Sequence, residues 1–243
     1  MDEIFTEMRS LPQGYAAIVI GQGAIGTAIA DALEADPRSG TVLRLSRRTT
    51  PAADVCDAET LDAAAAWAAD RIDAAHLVFV ATGALTLQGR GPEKALPQLD
   101  PAALLTSYRL NAVGPILALN AFRRLLSRQE RSLFAALSAR VGSIGDNGLG
   151  GWYGYRASKA ALNQLLRTAS IELARSRKQA VIAALHPGTV ESALSRPFRP
   201  DGAAADGIFT PEESACRLLG VLDGLTPERS GGFFAYDGAP IPW

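Results

Sequence analysis

The sequence predicts an α/β fold in which helices cover both faces of a doubly wound parallel sheet of about seven strands. Segments of strand length and helix length alternate along the chain, which is the first observation behind this prediction. The second is that the strand segments are apolar throughout rather than alternately polar, as in strands buried on both faces. A chain of 243 residues suits one domain over residues 1–243 and can bury a core without disulfides.

Each predicted strand is a short run rich in Val, Ile, Leu or Ala that ends at a Gly, a polar residue or a turn. The last one follows Ser230-Gly231 and ends at Asp237-Gly238. In chain order, the predicted strands are Ala16–Ile20, Val42–Leu45, Ala53–Cys56, His76–Ala81, Leu133–Leu137, Ala180–Leu185 and Gly232–Tyr236.

Longer segments with helical composition separate the strands. The first ends before Pro37, the second is rich in Ala, and the third is predicted to continue through Gly114-Pro115. The predicted helices are Ala24–Leu33, Ala58–Ala69, Pro101–Ser127, Tyr155–Ser176 and Pro211–Asp223. The segment Ser195–Gly207 is rich in Pro, Arg, Gly and Ala, and we expect it to be a lid or substrate loop.

Composition argues against several classes of partner. The formal net charge is −1 without a basic block, so nucleic acid is not expected. Continuous apolar stretches have about strand length, and the acidic opening Met1–Glu3 does not resemble a signal peptide. Cys56 and Cys216 are expected to be free thiols in a reducing cytoplasm. The two histidines are far apart in the sequence, and no metal site is predicted.

A glycine-rich turn lies between the first predicted strand and the first predicted helix. Its sequence Gly21-Gln22-Gly23-Ala24-Ile25-Gly26 fits the G-x-G-x-x-G pattern. Glycines permit a tight turn, and the free N–H groups of the following helix face a pyrophosphate. The motif in this context predicts a Rossmann-like dinucleotide site. A glycine turn without ligand, or another nucleotide ligand such as S-adenosylmethionine, remains open from the motif alone.

The end of the second predicted strand indicates which dinucleotide is bound. NAD sites place an acidic residue about 20 residues after the glycines, whereas this chain has Ser46, Arg47 and Arg48 there. A carboxylate would repel a 2′-phosphate, and Arg binds it with charge-assisted hydrogen bonds. We therefore expect NADP(H) to be preferred over NAD(H). The alternative is that both arginines are solvated surface charges.

Tyr155 and Lys159 lie four residues apart in a predicted helix, so they share one face. A free phenol has a pKa of ~10 and is a poor acid or base at neutral pH. A nearby ammonium favours the phenolate and lowers that pKa. The pair is therefore predicted to donate and accept a proton near working pH. The alternative is that Tyr155 only packs in the core.

Together these motifs resemble the short-chain dehydrogenase/reductase family over nearly the whole chain. Asp54-Val55 resembles the Asp-Val of that family whose Asp holds the adenine amino group. Asn111 resembles the mid-helix Asn that supports a water and proton relay beside the lysine. Asp54 has the alternative of a turn residue, and Asn111 that of a residue bonded at a helix kink.

Further segments match the family in order. Pro187-Gly188 and Val190 resemble the segment that borders the nicotinamide, with Ser192 in place of Thr. After the fourth strand, Ala81-Thr82-Gly83 replaces most of the usual Asn-Asn-Ala-Gly and keeps its Gly. The glycine turn is one residue shorter than the usual form. The runs Ser138–Ile144, Gly150–Tyr153 and Asp237–Trp243 are similar to the branch of sniffer-type carbonyl reductases and C-factor proteins.

The resemblance implies a hydride transfer between a nicotinamide and a carbonyl or alcohol carbon. Tyr155 would exchange the proton with the oxygen, and Lys159 would lower the Tyr155 pKa and hold the nicotinamide ribose. Family members commonly pair through the two long helices, which implies a homodimer or homotetramer. The expected partner is otherwise a small carbonyl or alcohol, suggested to be apolar by residues near the predicted pocket: Leu149, Trp152, Tyr153, Leu194 and Phe198.

The catalytic serine of the family is missing. Its position, three residues before Gly142, is occupied by Ala139, which has no hydroxyl. Ser143 is the preferred substitute, because it follows Gly142 at the expected mouth of the site. Ser138 should point to the opposite face of its strand. If neither hydroxyl serves, the chain would be a cofactor-binding regulatory or signalling protein with little turnover. A third alternative on the same fold is a nucleotide-sugar epimerase or dehydratase. Such chains usually carry a larger C-terminal substrate domain, for which 243 residues leave little room.

Overall fold

The structure is a computed structural model that describes residues 7–192, 196 and 207–243. Its main sheet has six strands, and every pair of neighbours in it is parallel. The predicted doubly wound parallel α/β fold is confirmed. The six strands are β1 (Tyr15–Ile20), β2 (Ser39–Leu45), β3 (Leu77–Val80), β4 (Ser132–Leu137), β5 (Ala180–His186) and β8 (Gly232–Ala235). Their order in the sheet is β2-β1-β3-β4-β5-β8.

Helices cover both faces of this sheet, as predicted. They are α1 (Ala24–Ala35), α2 (Ala58–Ala69), α3 (Pro101–Tyr108), α4 (Gly114–Phe122), α5 (Tyr153–Leu173) and α6 (Pro211–Gly224). Alternate strand residues feed two cores: Ile18 and Ile20 pack with α2, α4 and α5, whereas Ala17 and Val19 pack with α1 and α6. Burial of each strand on both faces explains why the strand sequences are continuously apolar.

The predicted strand Ala53–Cys56 is wrong. This segment has no strand pairing; it turns back so that Asp57 N–H donates to the Asp54 carbonyl. Val55 is nevertheless buried, and it packs so closely against Gly114 that a Cβ added there would lie 2.8 Å from one of its methyl groups. The segment is apolar because it packs against the start of α4. A short apolar run cannot distinguish that situation from a sheet strand.

The predicted helix Pro101–Ser127 is divided by a π-helical turn, Arg109–Val113, and ends at Phe122. Within the turn, Gly114 N–H donates to the Arg109 carbonyl, five residues earlier. Pro115 has no N–H with which to bond the Asn111 carbonyl in the usual α-helical way. The local opening of the helix therefore lies at Asn111. Such turns are frequent at functional sites.

The combined helix Pro101–Phe122 is long and apolar enough to cross a membrane by length and composition only. That differs from the expectation based on continuous apolar runs, because this helix spreads its apolar residues over its whole length. It contacts α2, α5 and β3, and the core helix of a globular protein passes the same test.

Two short strands, β6 (Thr189–Val190) and β7 (Ile208–Phe209), pair in parallel beside the main sheet. They flank the segment predicted to be a lid or substrate loop, Ser195–Gly207, which lies outside the described residues except for Arg196 and Gly207. The same applies to Leu194 and Phe198. The last predicted helix and the last predicted strand are found at nearly the predicted positions.

Candidate active site

The predicted site residues meet at one edge of the sheet. All six strands are parallel, so the residues that follow their carboxyl ends lie side by side, as at the ligand sites of doubly wound sheets. Gly21 follows β1, Ser46 follows β2, Ala81 follows β3, Ser138 follows β4 and Pro187 follows β5. The strand order reverses between β1 and β3, and a ligand crevice is expected at such a switch point.

The glycine turn lies in this crevice and fits a dinucleotide. Gly21 has a φ of 111°, and a Cβ there would lie 3.0 Å from the Ala81 carbonyl. A Cβ at Gly26 would lie 2.1 Å from the Gly21 carbonyl oxygen, whereas one at Gly23 would have no atom within 4 Å. Gly23 is also the N-cap of α1 and brings no capping side chain. Open space in front of helix N–H groups suits a phosphate.

The end of β2 presents positive charge beside the glycine turn. Arg47 and Arg48 are exposed, and neither guanidinium pairs with a carboxylate within the described part of the chain. Arg44 instead forms ion pairs with Asp31 at 2.6 Å and Glu34 at 2.7 Å. Of these three arginines, Arg47 and Arg48 are thus the two that form no ion pair in the described part of the chain.

Two further polar groups, Asp54 and Thr82, are predicted to belong to the nucleotide site. One carboxylate oxygen of Asp54 accepts a hydrogen bond from Cys56 N–H at 2.9 Å, as expected for a residue in a turn. The second carboxylate oxygen does not take part in that hydrogen bond. The Thr82 hydroxyl is buried without a hydrogen-bond partner among the described residues. A buried polar atom without a partner is costly, so this hydroxyl suits a site that a polar ligand completes.

Asn111 is fully buried and fixes the segment that leaves β3. Its side-chain amide donates to the Ala84 carbonyl and accepts from the Ala84 N–H, both at 3.0 Å. Lys159 Nζ donates to the Leu137 carbonyl at 2.8 Å. A Cβ at Gly83 would lie 3.3 Å from both Asn111 Oδ1 and Lys159 Nζ. Gly83 therefore leaves the space between the amide and the ammonium open.

Tyr155 and Lys159 share a face of α5, as predicted, with Lys159 Nζ 5.7 Å from the centre of the Tyr155 ring. Burial raises the pKa of Tyr155 to about 12. Burial also lowers the pKa of Lys159 to about 7. The predicted lowering of the Tyr155 pKa is therefore not found in the protein alone, because desolvation disfavours the charged form of both groups.

The two candidate serines have different hydrogen-bond partners. Ser138 donates to Asn163 Oδ1 at 2.7 Å, on the face that packs against α5. Ser143 accepts from Asp146 N–H at 3.1 Å, and a hydroxyl that accepts one bond can still donate its own proton. Ala139 precedes the 3-10 turn Arg140–Gly142 that leads to Ser143. Ser143 therefore has the freer proton.

Gly142 brings this turn against α5. A Cβ at Gly142 would lie 2.7 Å from the Lys159 Cβ, so only glycine allows the approach. After β5, Ser214 donates to the Pro187 carbonyl at 2.9 Å. Gly188 has a φ of 78°, and its Cβ would lie 2.7 Å from the Phe209 ring. These two glycines fit two loops closely around the site.

The structure brings two residues to the site that the sequence motifs did not predict. His186 precedes Pro187, and burial lowers its pKa to about 4, so its ring is neutral at physiological pH. The sequence signal that could have indicated His186 is its position directly before Pro187-Gly188. Glu93 contacts the start of α5; it lies in a polar loop without any motif. Within residues 7–192, 196 and 207–243, no group of three His, Cys, Asp or Glu side chains could hold a metal ion.

Comparison with protein families matches residues 15–203 to the model described as short chain dehydrogenase. The dehydrogenase of 1-hydroxy-2-glutathionyl-2-methyl-3-butene from Rhodococcus sp. strain AD45 is 33% identical over 193 residues, covering 79% of each chain. The C-signal protein of Myxococcus xanthus is 36% identical over 149 residues, covering 61% of this chain and 84% of its own.

Solved structures have the same fold. The NADPH-bound carbonyl reductase from chicken fatty liver has a TM-score of 0.83 at 21% identity and covers 100% of both chains. The carbonyl reductase Sniffer of D. melanogaster has a TM-score of 0.79 at 20% identity, over 95% of this chain and 100% of its own. A Burkholderia cenocepacia J2315 short chain dehydrogenase in complex with NADP has a TM-score of 0.73 at 19% identity, over 93% and 98%.

Proposed function

This chain belongs to the short-chain dehydrogenase family of oxidoreductases, and from that premise we propose that it is an NADP(H)-dependent carbonyl reductase or alcohol dehydrogenase. The observation that carries the proposal is the meeting of Tyr155, Lys159 and Asn111 beside the glycine turn. It is tested by steady-state oxidation of NADPH against a panel of carbonyl compounds.

In the proposed reaction, Tyr155 exchanges a proton with the substrate oxygen. The bound nicotinamide would supply or accept the hydride. Lys159, with a pKa near 7, can both hold and release a proton at working pH, which suits a group that replenishes the phenol. Asn111 keeps the loop after β3 in place through Ala84 and lies at the π-turn. In its charged form, Lys159 also favours the phenolate of Tyr155.

The cofactor would lie along the edge from β2 to β5. The turn Gly21–Gly26 would receive the pyrophosphate, Asp54 and Val55 the adenine, and Pro187, Gly188 and Val190 the nicotinamide end. Support comes from the open space at Gly23 and from the unpartnered Thr82 hydroxyl in the described part of the chain. We propose that NADP(H) is preferred over NAD(H), because Arg47 and Arg48 are exposed and Arg44 is held by Asp31 and Glu34.

Arg47→Ala should weaken NADPH binding roughly 10- to 100-fold, the effect of one charge-assisted contact to a phosphate. NADH has no 2′-phosphate, so its affinity should change less than about twofold. Dissociation constants from nucleotide fluorescence titrations provide the measurement. Arg71→Ala is the control. Arg71 stacks on Trp67, and its substitution removes the same charge elsewhere on the protein. Equal losses for both cofactors would mean that the phosphate is recognised by other residues.

We propose Ser143 as the donor that stabilises the substrate oxygen in place of the hydroxyl missing at Ala139. Ser143→Ala should lower kcat roughly 10²–10³-fold, as for a lost oxyanion donor. Ser138→Ala is the matched control and should leave kcat within about threefold, because the Ser138 hydroxyl already donates to Asn163 Oδ1. An unchanged rate in Ser143→Ala together with a loss in Ser138→Ala would reverse the assignment.

A small or medium apolar carbonyl compound is the proposed substrate class. Leu149 is 95% exposed and Ile144 is 78% exposed, and both lie in the segment between Ser143 and Tyr155. Trp152 stands edge-on to the Tyr155 ring, with 6.4 Å between ring centres. Exposed apolar side chains near a polar reacting centre are typical of a ligand site.

A second function has specific support. Ala139 removes the usual hydroxyl, and Ser138 is held by Asn163, so the chain could bind cofactor with little turnover. The similarity to the C-signal protein of Myxococcus xanthus agrees with this regulatory or signalling role. NADPH binding without oxidation by any carbonyl of the panel would favour it.

We further propose a cytoplasmic homodimer or homotetramer. Support for self-association comes from α3 and α5, which expose the large apolar side chains Leu105, Tyr108 and Ile171. Free Cys56 and Cys216 agree with a reducing compartment. The molar mass from light scattering tests the assembly, and a monomer would contradict it.

A further inference from the structure

The helix that carries Tyr155 begins in an unusual backbone conformation. Three consecutive residues, Gly150, Gly151 and Trp152, have positive φ values of 66°, 65° and 53°. The left-handed region is unfavourable for a bulky residue such as Trp152 and persists only where neighbours enforce it. Trp152 is the N-cap of α5, and its own side chain provides no cap. Something outside the helix must therefore hold this start.

Glu93 provides that contact from a different part of the chain. It lies 61 residues before Gly154, in the loop between β3 and α3. Its backbone carbonyl accepts from Trp152 N–H, and its carboxylate accepts from Gly154 N–H at 3.0 Å. Both donors belong to the start of a helix, where N–H groups lack partners within the helix. A carboxylate there is also favoured by the helix dipole.

The fit around this contact is close. A Cβ at Gly154 would lie 3.0 Å from Glu93 Oε1 and 3.1 Å from a methyl of Leu104 in α3. The loop that carries Glu93 is fixed at its other end, where Ala84 is bonded to Asn111. The same loop thus connects the π-turn with the residue that directly precedes Tyr155.

We propose that Glu93 is a positioning residue that caps the first turn of α5 and thereby holds Tyr155 in its reactive position. The capping contact stands on the geometry, and its effect on turnover rests on the proposed function. A displacement of a reacting group by about 1 Å can lower a rate about 10²-fold, so loosening one helical turn beneath Tyr155 should be visible in kcat.

Three variants test the proposal in the full-length protein. Glu93→Ala should lower kcat about 10-fold or more while NADPH affinity stays within about twofold. Glu93→Gln keeps an oxygen that accepts from Gly154 N–H and should restore kcat to within about threefold of the wild type. Asp57→Ala is the matched control, because the Asp57 carboxylate also accepts from an N–H in the first turn of a helix, that of Glu59 in α2. This variant should leave kcat within about twofold.

Amide hydrogen exchange at Gly154 and Tyr155 tests the contact independently of turnover. In Glu93→Ala these amides should exchange at least about 10-fold faster than in the wild type, and in Glu93→Gln at nearly the wild-type rate. Unchanged exchange in Glu93→Ala would overturn the proposal even if the wild type reduces no substrate. A kcat of Glu93→Ala within twofold of an active wild type, or no rescue by Gln, would also overturn it.

Discussion

Tyr155→Phe should reduce turnover by about 10²–10⁴-fold, the range expected for a lost general acid, and NADPH affinity should stay within about twofold. The phenylalanine keeps the ring that packs near Trp152 and removes only the hydroxyl. Initial rates of NADPH oxidation and fluorescence titration of NADPH provide the two measurements. Tyr108→Phe is the control, because it removes the same hydroxyl group from an exposed tyrosine of α3 that lies away from the site.

Retained turnover in Tyr155→Phe would contradict the assignment of Tyr155 as the acid. Loss of NADPH affinity together with turnover would instead indicate that the hydroxyl mainly binds cofactor. The pH profile of kcat indicates whether Lys159 takes part in proton transfer. Burial lowers the pKa of Lys159 to about 7, so a kcat in the active wild type that follows a group with a pKa near 7 would fit Lys159.

Lys159→Met should abolish measurable turnover and at the same time stabilise the cofactor-free protein. The ammonium is fully buried, and among the residues that the structure describes it donates to the Leu137 carbonyl and forms no ion pair. Burying an ionised group without a counter-charge is costly. Methionine fills a similar volume without that cost. We expect a Tm at least about 2 °C above the wild type at pH 6.5.

The stabilisation should depend on pH in a defined direction. The folded protein has a Lys159 pKa of about 7, whereas an unfolded lysine has one of ~10.4. Between these values the unfolded state binds more protons, so this group's contribution makes the wild type more stable as pH rises. The Tm advantage of Lys159→Met should therefore be largest below pH 7 and shrink towards pH 9. Lys178→Met, at an exposed lysine, should show no such trend; a constant difference for Lys159→Met would contradict the burial argument.

The sequence was sufficient for the fold class because each strand is buried on both faces, and continuous apolar runs record that burial directly. The same signal failed at Ala53–Cys56. There, Val55 is buried by its packing against Gly114 of α4 and not by neighbouring strands. The π-turn was also missed, because Gly114-Pro115 was treated as a tolerated irregularity. In the structure it opens the helix at Asn111.

At the site, the glycine motif and the Tyr155–Lys159 spacing are local features of the sequence. In the structure Gly21 directly follows β1, and Tyr155 and Lys159 share a face of α5. The pKa of Tyr155 was predicted in the wrong direction for the protein alone, since burial depends on the whole fold and the sequence does not show it. Glu93 was missed for a related reason. Its contact with Gly154 spans 61 residues, and the loop that carries it has no periodicity or motif.

The most direct test of the proposed activity follows the hydride itself. NADPH that carries deuterium at the transferable position of its nicotinamide is incubated with the wild-type protein and each of a panel of small apolar ketones, with Tyr155→Phe in parallel. The wild type should place deuterium on the carbinol carbon of the alcohol product, and Tyr155→Phe should form almost none. Tight NADPH binding without deuterium in any alcohol product would contradict the reductase proposal and favour a regulatory protein that binds the cofactor.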